Sequence, residues 1–207
     1  MILEKEVLEN HKNYVERVNF YRSFGYDLEK ERELILDRSL PVSGQILEIG
    51  TGKGHFALAL AKRGFSFTSI DISEEEQKVA SLNIRYYGLE KHVTFKIEDA
   101  QNLNFPSQSF DVIFSVNVFH HLENPDIVLN EMARLIRPAG KIVLSDFNVK
   151  GFEIINACHT REGKVHDRSK HDLREAKNYF TDQGFDVDKF QSEVQRTIIA
   201  EEKIIVV

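Results

Sequence analysis

The run Ile46-Leu47-Glu48-Ile49-Gly50-Thr51-Gly52-Lys53-Gly54-His55-Phe56 constrains the fold of this chain more than any other segment. A short, largely apolar strand carrying an acid passes into a turn with glycine at every second position, and a helical pattern begins at once. In an open α/β sheet that junction lies at the carboxyl edge of a parallel strand, where bare backbone and a helix start receive a nucleotide-containing ligand. A dinucleotide fingerprint G-x-G-x-x-G beginning at Gly50 requires glycine at position 55, and His55 stands there. The glycines fall at 50, 52 and 54 instead, which argues against NAD.

Strands and helices alternate around this junction. Leu3, Val7, Tyr14, Val18 and Tyr21, then Leu28, Leu34 and Ile35, predict two amphipathic helices broken near Gly25. Strands are expected over 45–50, 66–71, 93–99, 110–116 and 141–147, with helices after the first and second. Ser73-Glu74-Glu75-Glu76 predicts a capping box at the start of the second of these helices. Asn124-Pro125-Asp126 predicts the start of a helix whose face carries Val128, Met132, Leu135 and Ile136, ended by Pro138-Ala139-Gly140. Beyond Asn148 a polar loop of about twenty residues is expected, holding His159, His166 and His171, then a helix over 173–180. Two last strands, about 186–193 and 196–207, are joined by a tight turn and so should be antiparallel. The expected fold is α/β: a Rossmann-like, doubly wound seven-stranded sheet, mostly parallel, with a C-terminal antiparallel hairpin. One domain is expected, with 1–44 as a helical cap over an acceptor site and 45–207 as the cofactor-binding core.

With 33 acidic against 27 basic residues, net charge −6 and no basic run, the chain is ill suited to nucleic acid or an anionic membrane surface. Cys158 is the single cysteine, so neither an intrachain disulfide nor a multi-thiol metal site can form. No metal site is expected. The amino terminus carries no signal-peptide pattern and no apolar run approaches the ~20 residues of a membrane span, so a cytoplasmic setting without stable membrane insertion is expected. An exposed terminal hairpin is compatible with a homodimer.

Three carboxylates, Glu48, Asp71 and Asp99, fall at the carboxyl ends of the first three strands, beside the crevice where such sheets bind ligands. Asp71 follows Glu48 by 23 positions, near the ~20-residue interval at which a strand-two acid takes ribose hydroxyls. A carboxylate suits a diol because it accepts both hydrogen bonds. Asp99 with the Ala100 amide could accept from and donate to an adenine edge.

The order Leu47-Glu48-Ile49-Gly50-x-Gly52-x-Gly54, Ser69-Ile70-Asp71-Ile72-Ser73, Glu98-Asp99-Ala100 and Phe110-Asp111-Val112-Ile113 resembles the class I S-adenosylmethionine-dependent methyltransferases. Val118-Phe119-His120-His121-Leu122-x-x-Pro125 and Leu135-Ile136-Arg137-Pro138-x-Gly140 are similar to the small-molecule branch typified by ubiquinone/menaquinone-biosynthesis methyltransferases. The resemblance implies S-adenosylmethionine as cofactor and a small-molecule acceptor with an O, N, C or S nucleophile. It implies that Gly50, Thr51, Gly52 and Gly54 pass the methionine portion along backbone, with Glu48 organising the loop or its bound water. Asp71 would hold ribose, Ile72 would pack on adenine, and Asp99 with Ala100 would bind its edge. Ser115 and Val116 would offer backbone to the methionine ammonium, beside Asn117. Relatives that methylate nucleobase amines or glutamine amides carry an [Asn/Asp]-Pro-Pro-aromatic run. Here Asn117 is followed by Val118-Phe119-His120, which disfavours those acceptors.

Outside the cofactor set, His120 or His121 is either a general base, with an ordinary pKa near ~6.5, or a packing and a solvated residue. His159, His166 and His171 are either a base or metal cluster or solvated loop side chains. Tyr14, Phe20, Tyr21, Phe24 and Tyr26 either wall an acceptor pocket, with His159, or simply pack the first helices. Two rival functions stay open: a catalytically silent S-adenosylmethionine-binding module, and an NAD-dependent oxidoreductase.

Overall fold

All four residues of β1 (Ile46–Ile49) are buried, as a central parallel strand covered on both faces requires. β2 (Phe67–Asp71) and β4 (Phe110–Val116) pair with it in parallel on either side. β3 (Val93–Ile97) continues the sheet beyond β2, and β5 (Ile136–Phe147) continues it beyond β4. β6 (Phe185–Gln191) and β7 (Gln195–Glu202) form the expected antiparallel hairpin, with β7 lying between β5 and β6. The order β3-β2-β1-β4-β5-β7-β6 makes this the mostly parallel, doubly wound α/β sheet anticipated from the sequence, with its switch point beside β1. The computed structural model describes residues 4–163 and 171–202; Leu3, His166 and residues 203–207 lie outside the described residues.

Period-two alternation in β1 sends its side chains to two cores. Ile46 packs with Val18, Ile35, Leu36, Phe56 and Ile84 from α1 (Lys5–Ser23), α2 (Leu28–Ser39), α3 (His55–Lys62) and α4 (Glu74–Tyr86). Leu47 and Ile49 pack on the opposite face with Leu129, Met132, Ala176 and Phe180 from α5 (Pro125–Leu135) and α7 (Leu173–Asp182). Asp27 caps α2 by accepting from the Lys30 amide at 3.2 Å, which sets the break after Gly25. No helix among the described residues is long and apolar enough to cross a membrane.

Several sequence expectations need correction. The stretch after Asn148 is not a polar loop: α6 (Val149–Arg161) occupies most of it. Asn148 caps α6 by accepting from the Gly151 amide at 3.0 Å, and Gly151, Ile155 and Cys158 form its buried stripe. Cys158 is thus a buried core residue. Ile136 does not belong to the preceding helix. Its backbone is extended and pairs with Phe110, and the register then shifts before Val112 pairs with Lys141. Pro138-Ala139-Gly140 therefore forms an irregularity within β5, with Ala139 at φ 62°, rather than a helix stop. Only half of the capping box forms: Ser73 Oγ accepts from the Glu76 amide at 3.2 Å, but the Ser73 amide donates to Asp71 Oδ1 at 2.9 Å instead of to Glu76. No helix intervenes between β3 and β4.

Candidate active site

The three loop glycines are required for three different reasons. A Cβ on Gly50 would lie 2.2 Å from Val118 Cγ2, so Gly50 makes room for the segment leaving β4. A Cβ on Gly54 would lie 2.7 Å from Ala80 Cβ and 2.9 Å from its Cα, so Gly54 sets the approach of α3 to α4. Gly54 is not among the residues lining either chamber of the cleft. Gly52 alone of the three has open space where a Cβ would sit, and it lines both chambers of the cleft.

Those chambers, of about 440 and 560 Å³, meet at Gly50, Gly52, Glu76, Asn117 and His121, at the carboxyl edge of β1 and β4. The larger holds Asp71, Ile72, Asp99 and Ala100, so the strand ends bring these four sequence candidates together. Asp71 Oδ2 accepts the Gly52 amide at 2.7 Å and Oδ1 accepts the Ser73 amide. Each carboxylate oxygen retains a lone pair, so Asp71 can still accept from a diol. Ile72 is 70% exposed on this chamber, an apolar face with nothing packed over it. Asp99 is exposed, and its Oδ1 accepts the Gln101 amide at 2.9 Å.

Glu48 does not reach the cleft. It is 1% exposed and accepts from Ser69 Oγ at 2.6 Å. Ser69 Oγ pairs with Thr51 Oγ1 at 2.6 Å, and Thr51 accepts from Gln77 Nε2 at 3.2 Å. This buried chain ties the loop to β2 and α4, so Glu48 organises the loop from behind. Burial pushes the Glu48 carboxyl up to about 8. The same cause pushes His55 down to about 3.

The smaller chamber is walled by Tyr21, Tyr26, Leu28, Phe147, Ile155 and His159, with Val116, Asn117, His120 and His121 on its sheet side. Tyr26 and Phe147 meet edge-on at 5.5 Å, and His120 packs against Phe147 and Phe152. His120 is 2% exposed, with Nδ1 2.6 Å from Asp146 Oδ1. Its exposed neighbour His121 lines both chambers. Asn117 sits at φ 60°, and its amide side chain donates to the Tyr26 hydroxyl at 3.3 Å.

Three other expectations fall away from the cleft. Ser115 is buried within β4, paired to β1 and β5. Tyr14 lines a separate recess with Asn10, Asn83 and His55, and its hydroxyl donates to Glu29 at 3.3 Å. His171 pairs with Glu175 at the start of α7, away from both chambers. Conversely, Asp146, Arg32 and Arg17 were not anticipated. Asp146 follows the apolar run Ile142-Val143-Leu144-Ser145 at a strand end, the position that singled out Glu48 and Asp71, so the same signal could have found it. Arg17 and Arg32 sit in ordinary charged helices and carry no such signal.

The open backbone at Gly52, the remaining acceptor capacity of Asp71 and the uncovered Ile72 fit an adenosine-bearing ligand such as S-adenosylmethionine. Residues 47–144 match a family described as a methyltransferase domain. Methyltransferase GfsG of Streptomyces halstedii is 34% identical over 126 residues, 59% of this chain and 45% of that protein. A ubiquinone biosynthesis O-methyltransferase of Xanthomonas axonopodis pv. citri is 28% identical over 117 residues, 56% of this chain and 48% of that protein. The chain thus spans about half the length of these curated relatives. The PH0226 protein of Pyrococcus horikoshii shares the fold, with a TM-score of 0.70 at 17% identity over 92% of each chain. The matched segment carries the glycine loop, the acids at the ends of β2 and β3 and the His120 segment, so the part of the chain that holds the cleft is similar to a methyltransferase domain.

Proposed function

We propose that this protein transfers a methyl group from S-adenosylmethionine to a hydroxyl of a small molecule, with His120 as general base and Asp146 as its positioning residue. The observation that carries this reading is the buried His120–Asp146 contact of 2.6 Å in the wall of the smaller chamber. A proton on Nδ1 directed at Asp146 leaves Nε2 as the basic nitrogen of the ring. His120 then takes the acceptor's proton there, and Asp146 offsets the charge of the imidazolium that results. A base of this kind is unnecessary for a nucleophile without a proton to lose, which favours a hydroxyl over a thioether or tertiary amine. The name of the ubiquinone relative, an O-methyltransferase, supports the same choice.

When bound, S-adenosylmethionine would supply an electrophilic methyl on a sulfonium centre. In this reading Gly50 and Gly52 offer backbone to its methionine portion, Asp71 takes ribose hydroxyls, Ile72 covers adenine, and Asp99 with Ala100 meets its edge. Val116 and Asn117 border the methionine portion. Tyr21, Tyr26, Phe147 and Ile155 exclude water from the acceptor, with His121 and His159 at its margin. α1 and α2 then act as a cap over the acceptor. Alignment of donor and acceptor in this chamber contributes up to ~7–11 kcal/mol of the barrier.

The proposal extends to a cytoplasmic setting and a non-nucleic-acid acceptor, supported by the single buried cysteine and net charge −6. A homodimer through the edge strand β6 is part of the same reading. The test is incubation with isotope-labelled methyl donor and extracted metabolites, followed by mass spectrometry and by calorimetry with S-adenosylhomocysteine and NADH. A labelled ether supports the proposal. Binding of NADH in place of the sulfur compound sinks it, and donor binding without turnover on any acceptor identifies a silent module.

A further inference from the structure

Gln195, the first residue of β7, is 1% exposed and lies behind the cleft, lining neither chamber. In the orientation that satisfies its neighbours, its amide pairs reciprocally with that of Asn117: Nε2 donates to Asn117 Oδ1 at 3.0 Å, and Oε1 accepts from Asn117 Nδ2 at 3.2 Å. Nε2 also donates to Ser145 Oγ at 2.9 Å, and Oε1 also accepts from the Tyr26 hydroxyl at 3.2 Å. Asn117 Nδ2 reaches that same hydroxyl, so Asn117, Tyr26 and Gln195 close a triangle. Both N–H groups and both lone pairs of the Gln195 amide are used.

The partners lie on three separate parts of the fold, and each bears on the site. Asn117 follows β4, lies where the two chambers meet and precedes His120 by three positions. Its backbone is left-handed at φ 60°, a turn that asparagine tolerates and its side-chain bonds hold. Ser145 immediately precedes Asp146 on β5, and its carbonyl accepts the Asn117 amide at 2.8 Å. Tyr26 stands between α1 and α2 and walls the smaller chamber. An apolar side chain of similar volume would fill the Gln195 position without the cost of burying an amide. What only the amide supplies is a fixed mutual position for the cap and the two strand ends.

We infer that Gln195 is a positioning residue for methyl transfer: it touches no ligand and acts through Asn117, Ser145 and Tyr26 to hold the cap against the strand ends that carry His120 and Asp146. The inference rests on the His120–Asp146 reading proposed above. Gln195 and Tyr26 both lie outside residues 47–144, so this arrangement belongs to the flanking parts of the chain rather than to the matched segment. The C-terminal hairpin is then a support of the acceptor chamber as well as an edge of the sheet.

Gln195→Met and Gln195→Glu test the assignment beside wild type, by histidine-selective NMR, by calorimetry with S-adenosylhomocysteine, and by single-turnover rates on the acceptor found with labelled donor. The ligand-free wild type should show the His120 ring proton shared with Asp146 as a downfield signal, assigned by its loss in His120→Ala. Gln195→Met should shift or broaden that signal and slow methyl transfer about 10- to 100-fold, while S-adenosylhomocysteine affinity stays within about 3-fold of wild type. Gln195→Glu keeps the oxygen that accepts from Tyr26 and Asn117, so its rate should fall less, and it carries the test if Gln195→Met does not fold. A role in stability alone would lower the thermal midpoint and leave signal and rate unchanged. That result in either folded variant overturns the inference, as does a loss of rate matched by an equal loss of S-adenosylhomocysteine affinity. Absence of the downfield signal and of turnover in wild type instead overturns the His120–Asp146 reading, and this inference with it.

Discussion

Asp146 grips His120 through both of its oxygens: Oδ1 lies 2.6 Å from the ring Nδ1, and Oδ2 accepts the backbone amide of the same residue at 2.8 Å. The Phe147 amide also donates to Oδ1 at 2.8 Å, so the carboxylate is held in turn. One side chain at the end of β5 thereby fixes the tautomer, the ring orientation and the local path of the segment after β4.

His120→Ala should lower kcat about 10²- to 10⁴-fold on the acceptor found with labelled donor, and leave affinity for S-adenosylhomocysteine unchanged. Asp146→Asn should also lower kcat, because an amide can present its NH₂ to Nδ1 and favour the other tautomer. Single-turnover rates beside calorimetry check both. A fall in donor affinity matching the fall in rate would mean that the pair is structural.

Substitution of the glycines should separate their roles. Gly54→Ala meets Ala80 backbone and should destabilise the fold by about 1–3 kcal/mol. Gly52→Ala meets nothing, so its stability cost should be limited to about 1 kcal/mol for its φ of +49°, while its methyl enters the cleft and weakens donor binding. Urea unfolding and calorimetry on both variants test this, and an equal loss of stability would refute it.

Glu48 predicts a specific pH dependence. Its carboxyl is raised from 4.5 to about 8 in the folded chain, so between those values the folded state holds a proton that the unfolded state has lost. Its contribution is therefore complete below about pH 4.5 and is lost as pH rises toward 8. His55, lowered to about 3, acts in the opposite sense: its contribution is complete above 6.5 and is lost on acidification. Glu48→Gln should gain stability relative to wild type from pH 5 to pH 8 in thermal scans. A difference that does not vary with pH would contradict the assignment.

Ile72 is too exposed to matter to the fold and well placed to matter to a ligand. Ile72→Ser should change unfolding free energy by no more than about 0.5 kcal/mol and weaken S-adenosylhomocysteine about 3- to 10-fold through lost apolar contact. Equal affinity for both proteins would remove Ile72 from the adenine site.

Local pattern alone determined the sheet and the loop. The alternation of buried strands with helical runs led to the seven-stranded, mostly parallel sheet, while its strand order came from the tertiary structure, whose register gathered Asp71, Ile72, Asp99 and Ala100 in one chamber, because neighbouring parallel strands end side by side. The pattern failed where apolar residues are sparse. α6 buries only Gly151, Ile155 and Cys158, and its polar turns read as a loop until the Asn148 cap and the packed stripe are seen together. It also failed where a residue's meaning lies in its neighbours. Gly52 and Gly54 are alike in sequence, yet one faces open space and the other faces Ala80. Asp146 acquires its role from an imidazole 26 residues away.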